Sequence, residues 1–296
     1  MAQVYQSDFH ITLTSDSSRP IYNDNKPSCF KIKHEPEIRL NGEWEMAIID
    51  LHYPHNWNNF DYETEIITYL NGDDQDLIEL KEYESASSNF EILVRDYATS
   101  INKNELTFRK CLLHSDYYAN ATELCEQICD TLNAEYEFQS NADMLKFIYS
   151  RVTNRVLFTS ELERFHVFTN KPDIFVSLGF EVVEVADRVY SVNLYEQALN
   201  APCIPTIDTI YIYCSLLHYQ IVGSVTAPLL GMLPVQAKPG TNGYWSFPSR
   251  TYIKIDRSLI DSIDIQLRDD QGDLIPFRSN GRVVCRLHFR RRQLTI

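Results

Sequence analysis

The run Val283-Val284-Cys285-Arg286-Leu287-His288-Phe289-Arg290-Arg291-Arg292 sets the tightest limit on what this chain can become. Cys285, Leu287 and Phe289 fall on one side of it. Val284, Arg286, His288 and Arg290 fall on the other. A period of two is the signature of a β-strand with one buried and one wet face. A strand this late in the chain needs partners from far back. The expectation is an antiparallel β-sandwich shared by the first and last parts of the sequence.

The early part supplies such partners. Phe9, Ile11 and Leu13 alternate with His10 and Thr12, and a polar loop with Ser15, Asp16 and Pro20 follows. Phe30, Ile32 and His34 resume the alternation, with Lys31 and Lys33 facing outward. Asn41-Gly42 is a turn signal. Residues 44–51 then read as a mostly buried strand, broken at Tyr53-Pro54-His55. In the late part, Ile210, Ile212 and Cys214 alternate with Tyr211 and Tyr213. Leu229–Leu233 is short and apolar, and Tyr252, Ile253 and Ile255 make another candidate. Ile263, Ile265 and Leu267 alternate with Asp264, Gln266 and Arg268 before the turn at Asp269–Gly272. With the Arg-tipped run that makes three early and five late strands. Eight is the number a jelly roll needs. The predicted fold is mainly β: a single jelly-roll β-sandwich of eight antiparallel strands, formed by residues 1–58 and 204–296, with a large α+β insertion domain at 59–203.

The insertion has a different texture. Ile66, Ile67, Leu70, Leu77, Ile78 and Leu80 flank Asn71-Gly72-Asp73-Asp74, as in a hairpin. Asn120 or Thr122 is placed to cap a helix through Leu124, Cys125, Ile128, Cys129 and Leu132, which keep helical spacing. Residues 146–149 and 155–158 read as strands. Charge divides the chain in the same place. Residues 59–203 hold 26 acidic and 11 basic side chains, against 15 and 16 elsewhere, so essentially all of the net charge of −14 lies on the insertion. A like-charged module favours solvent over its own copies, which leaves the nearly neutral sandwich as the packing surface.

Composition narrows the function. With 44% apolar residues, 296 residues can bury one large core or two modest ones. The acidic balance argues against strong nucleic-acid binding. Seven cysteines without regular spacing do not make a disulfide framework, and Cys125 and Cys129, four apart on the expected helix, read as reduced core thiols. The first residues lack the basic and apolar regions of a secretory signal. No apolar run reaches the roughly 20 residues of a membrane helix. The expectation is a soluble chain made in a reducing compartment. Asn120-Ala121-Thr122 matches a glycosylation acceptor, here read as chance.

Catalytic patterns are weak. There is no nucleophile elbow, phosphate-binding loop or dinucleotide fingerprint, and nine glycines are few for loops that cradle phosphate. His52 and His55 flank Pro54, with Asp50 upstream, so a cupin-like metal site is conceivable; a structural role is the common fate of such histidines. No cofactor, metal or catalytic residue is assigned. Arg290-Arg291-Arg292 is the one basic cluster, suited to an acidic neighbour or a solvated strand end. Trp245 and Phe247, in a loop from Gly240 to Ser249, would make an interface anchor or tuck back onto the sandwich.

Several stretches resemble the penton, or minor capsid, proteins of Polinton/Maverick elements and Mavirus-like virophages. They are Phe9–Ser15, Ile38–Ile48 followed by Tyr53-Pro54, Ser177-Leu178-Gly179-Phe180, Ile210–Cys214 with Ile221-Val222-Gly223, Ile263–Gly272 and Leu287–Arg291. They span almost the full length in order. Gly231 departs from the pattern, standing where the family often has a basic residue. The resemblance implies a non-enzymatic structural virion protein, assembled in the host cytoplasm into homopentamers at the fivefold vertices of an icosahedral capsid. Its neighbours there would be double-jelly-roll major capsid proteins. Arg290, Arg291, Arg292 and Trp245 are the expected subunit-contact residues. The rival readings are a host receptor or glycan attachment module carried on the insertion and, last, a cupin-like enzyme using His52, His55 or His288.

Overall fold

The computed structural model describes residues 3–5, 8–60, 64–70, 107–114, 116–134, 145–159, 165–186, 189–194 and 197–292. The chain divides into two compact units, Met1–Trp57 with Ile207–Ile296, and Asn58–Thr206. Along the chain come β1 (Gln3–Tyr5), β2 (Phe9–Thr14), β3 (Cys29–Leu40) and β4 (Trp44–Pro54). The second unit follows with β5 (Thr64–Leu70), β6 (Thr107–Leu113), α1 (Ala121–Asn133), β7 (Lys146–Ser150), β8 (Arg155–Thr159), β9 (Phe165–Thr169), α2 (Asp173–Ser177), β10 (Glu181–Ala186) and β11 (Val189–Asn193). The first unit resumes with β12 (Thr209–Tyr213), β13 (Gln220–Val222), β14 (Val225–Ala227), β15 (Leu229–Pro234), β16 (Asn242–Ser246), β17 (Ile253–Lys254), β18 (Leu259–Arg268) and β19 (Val284–Arg291).

The protein is mainly β. In the first unit one sheet runs β1-β3-β18-β12-β15 and the other β16-β4-β19-β2, with β17 also on β4. Both sheets join early strands to late ones: β3 meets β18 in the first, and early and late strands alternate in the second. β19 lies between β2 and β4, pairing Phe289 with Phe9 and with Met46. All of these pairings are antiparallel except β1 on β3, which is parallel. The core is made by the inward side chains of both sheets. Phe30, Trp44, Met46, Leu51, Ile263, Ile265, Leu287 and Phe289 are fully or almost fully buried. The Phe9 and Phe289 rings stack at 4.9 Å. Gly231 of β15 backs onto Ile48 of β4 and onto Phe247, so close that an added Cβ would lie 3.2 Å from each.

Three details depart from the strand pattern read off the sequence. The stretch 252–255 gives only the two-residue β17. The eighth long-range strand is instead β16, in the segment read as a loop carrying Trp245. Its alternation is hard to see because one of its two inward residues is Gly243, the other being the half-buried Trp245; a Cβ at Gly243 would strike the Tyr53 ring. Asn41-Gly42 does turn the chain, but it closes no hairpin: it carries the chain from β3 in one sheet to β4 in the other. The unbroken apolar run in β4 reflects a β-bulge. Arg286 pairs with Asp50 but Leu287 pairs with Ile48, so Ile49 is an extra residue that shifts the inside–outside phase.

The second unit has its own five-stranded sheet, β10-β11-β9-β5-β6, and the β7–β8 hairpin. Leu124, Cys125, Ile128 and Leu132 of α1 join Ile66, Leu113, Phe147, Val167 and Phe175 in one apolar cluster. Asn120 caps α1, its side chain accepting from the N–H groups of Thr122 and Glu123, while Glu123 accepts from the Ala119 N–H. After α2 the chain reverses at Gly179, whose φ of +89° and contact with the Asn200 carbonyl exclude a side chain. Ile66, Ile67 and Leu70 fall on β5. The expected turn at Asn71–Asp74, with Leu77, Ile78 and Leu80, lies outside the described residues.

Candidate functional site

β19 sits inside its sheet, so its outward side chains meet neighbours on β2 and β4. Arg286 faces Thr12 and Asp50, His288 faces His10 and Ala47, and Arg290 faces Glu45. The bulge at Ile49 gives this row its chemistry, because it turns Asp50 and His52 outward beside Arg286 and Val284. Arg286 makes an ion pair with Asp50, whose side chain is only 6% exposed. Arg290 donates to Glu45 at 2.5 Å and lays its guanidinium 3.4 Å from the Tyr252 ring centroid. Arg292 and Lys254 both reach Glu43, at 3.5 and 3.2 Å. Two of the three terminal arginines are therefore neutralised within the chain. Arg291 lies along Gly42.

Trp245 is not part of that cluster. It is half-buried on β16 opposite Leu51, which itself faces Cys285 near the start of β19. At about 3.3 Å per residue, Arg290–Arg292 stand some five or more strand positions away. The exposed aromatic here is its neighbour Tyr244, tilted against His52 at 4.5 Å. Tyr244 carries no signal in the sequence, because the Gly240–Ser249 segment reads as a loop.

The three histidines of the metal reading are dispersed. His52 leans on Tyr244. His55 is buried, 4.0 Å from the Trp57 ring, with Nδ1 2.6 Å from the Ala237 carbonyl; burial is the main reason its protonation is pushed down. His288 lies on the outer face of β19, with Nδ1 2.7 Å from the Tyr252 hydroxyl and Nε2 3.3 Å from the Asp8 carboxylate. Among the described residues no three His, Cys, Asp or Glu side chains gather as a metal ion needs. Cys125 and Cys129 are both free thiols. Burial pushes the Cys125 thiol up to about 12, and Cys129 Sγ accepts the Phe147 N–H at 3.0 Å, tying α1 to β7. Among the described residues no helix is long and apolar enough to cross a membrane. A polar cleft of about 450 Å³ at the Pro54 end of β4 is lined by His52, Asn56, Thr241, Asn280 and Arg282.

The outer face of this sheet is thus a band of paired charges and rings on a β-sandwich. No family model matches the sequence, and no curated protein matches it. Among solved structures the chain is similar to the mavirus penton protein, seen in a selenomethionine crystal structure, at 13% identity and a TM-score of 0.45. The match covers 95% of this chain and 99% of that one.

Proposed function

We propose that this chain is a structural capsid subunit that forms homopentamers at the fivefold vertices of an icosahedral shell. The observation that carries the reading is the joining of early and late strands in both sheets of the first unit. Taken in chain order, β2, β3, β4, β12, β15, β16, β18 and β19 have the sheet neighbours of a single jelly roll: first-eighth-third-sixth and second-seventh-fourth-fifth. The residue-level resemblance to penton proteins points the same way, since its stretches Phe9–Ser15, Ile38–Ile48, Ile263–Gly272 and Leu287–Arg291 fall on those strands and their turns. A fivefold ring needs one surface of each copy to fit a different surface of the next. The nearly neutral sandwich supports such packing better than a second unit carrying a net charge of −15. Within this reading Arg290, Arg291, Arg292 and Trp245 are the subunit-contact residues, and double-jelly-roll major capsid proteins are the neighbours.

Sedimentation of the purified protein at micromolar concentration tests it, together with co-assembly with a major capsid protein. A mass of five chains and incorporation into shells is expected. A strict monomer that never enters shells would sink the proposal.

A second reading gives the insertion a receptor or glycan attachment role. That unit has its own apolar cluster, so its role can be separated from that of the sandwich. Deleting residues 58–206 should leave shells able to close while abolishing attachment.

A further inference from the structure

Among the described residues strand β2 stands at the edge of its sheet, paired there with β19. On the outer face of this seam His10 and His288 stand directly opposite each other, their rings stacked at 4.5 Å and 18°. Like charges at directly opposed positions weaken a strand pair, so this geometry suits two neutral imidazoles and opposes two charged ones.

The surrounding charges deepen that bias. β19 adds Arg286 and Arg290, and the segment before β17 adds Arg250 and Tyr252. The nearby carboxylates of β4 are committed: Asp50 to Arg286 and Glu45 to Arg290. Asp8 is the acidic group facing the imidazoles, and its side chain is 64% exposed, so water and salt screen it. The His288 ring is buried, with Nε2 3.3 Å from the Asp8 carboxylate and Nδ1 2.7 Å from the Tyr252 hydroxyl.

We propose that the His10–His288 pair is an acid-sensitive latch: protonation of both rings drives edge strand β2 off β19 while the second unit stays folded. The inference concerns the isolated chain and does not depend on the capsid reading. The sign is fixed by the direction of the His10 shift. Desolvation lowers its pKa from the ordinary 6.5, then His288, Arg250 and Arg286 lower it further, against Asp8. A histidine held below its unfolded value binds fewer protons folded than unfolded. Its stabilising contribution is present above about 6.5 and is lost as pH falls below it.

Hydrogen exchange of the full chain between pH 7.5 and 5.5, corrected for intrinsic rates, reads the latch directly. Amides of Phe9–Thr14 should lose protection as the pH falls. Amides of α1 should not change. In His10→Gln the β2 amides should become insensitive to pH. Unchanged β2 protection in the wild type, equal loosening of α1, or an undiminished pH response in His10→Gln would each overturn the proposal. Should that variant fail to fold, imidazole titration of the wild type by NMR decides. A His10 midpoint below 6.5, coupled to His288, supports the latch. A His10 midpoint at or above 6.5 overturns it.

Discussion

The two compact units of this chain solve the same burial problem in opposite ways. The first spans 147 residues from the two ends of the sequence, and its central strand β19 pairs with strands more than 230 residues earlier. The second is one continuous stretch. Its β7–β8 and β10–β11 pairs are local hairpins, and its helix nucleates on its own Asn120 cap. The first is close to neutral and the second carries a net charge of −15. The lesson is that cohesion and repulsion are assigned to different pieces. A woven, weakly charged sandwich suits packing against other copies, while a locally built, acidic unit repels its like.

Core substitutions should separate the units most sharply. Phe289→Ala removes a ring that is fully buried and stacked on Phe9, and should cost about 3–5 kcal/mol. Leu124→Ala in α1 should cost about 2–5 kcal/mol. Followed by hydrogen exchange in denaturant, each should lower protection in its own unit. A loss shared equally by both would break the comparison.

Next in size is the outer-face ion pair. Arg286→Ala leaves the buried Asp50 carboxylate without its guanidinium and should cost about 2 kcal/mol, with part regained in Asp50→Asn/Arg286→Ala. Denaturation midpoints of the three proteins measure this. Asn120→Ala should cost the second unit about 1 kcal/mol, read as lost protection at the start of α1. Smallest is Arg290→Ala. Its ion pair with Glu45 is half exposed, so a loss of about 0.5 kcal/mol that shrinks in high salt is expected.

How much of this was legible in the sequence depended on whether a residue's partner left a mark nearby. The strands β2, β12, β18 and β19 were readable because each alternates apolar and polar residues around one buried face. Helix α1 was readable because its cap and its apolar stripe are both local. β16 is hidden because one of its two inward positions is a glycine, and the bulge at Ile49 is hidden because two adjacent isoleucines look like any buried strand. The outer face was only partly legible. Arg290–Arg292 stand out as a run, but their neutralisation by Glu43 and Glu45 needs the fold. His10 gave no signal, since its partner His288 is 278 positions away and only the register of β2 on β19 brings them together.

The central claim, that this sandwich closes into a fivefold ring, is tested most directly by electron microscopy of the full-length protein expressed alone. Top views of closed rings with five equal lobes are the predicted result. Single particles of one chain, or rings of another number, would contradict it.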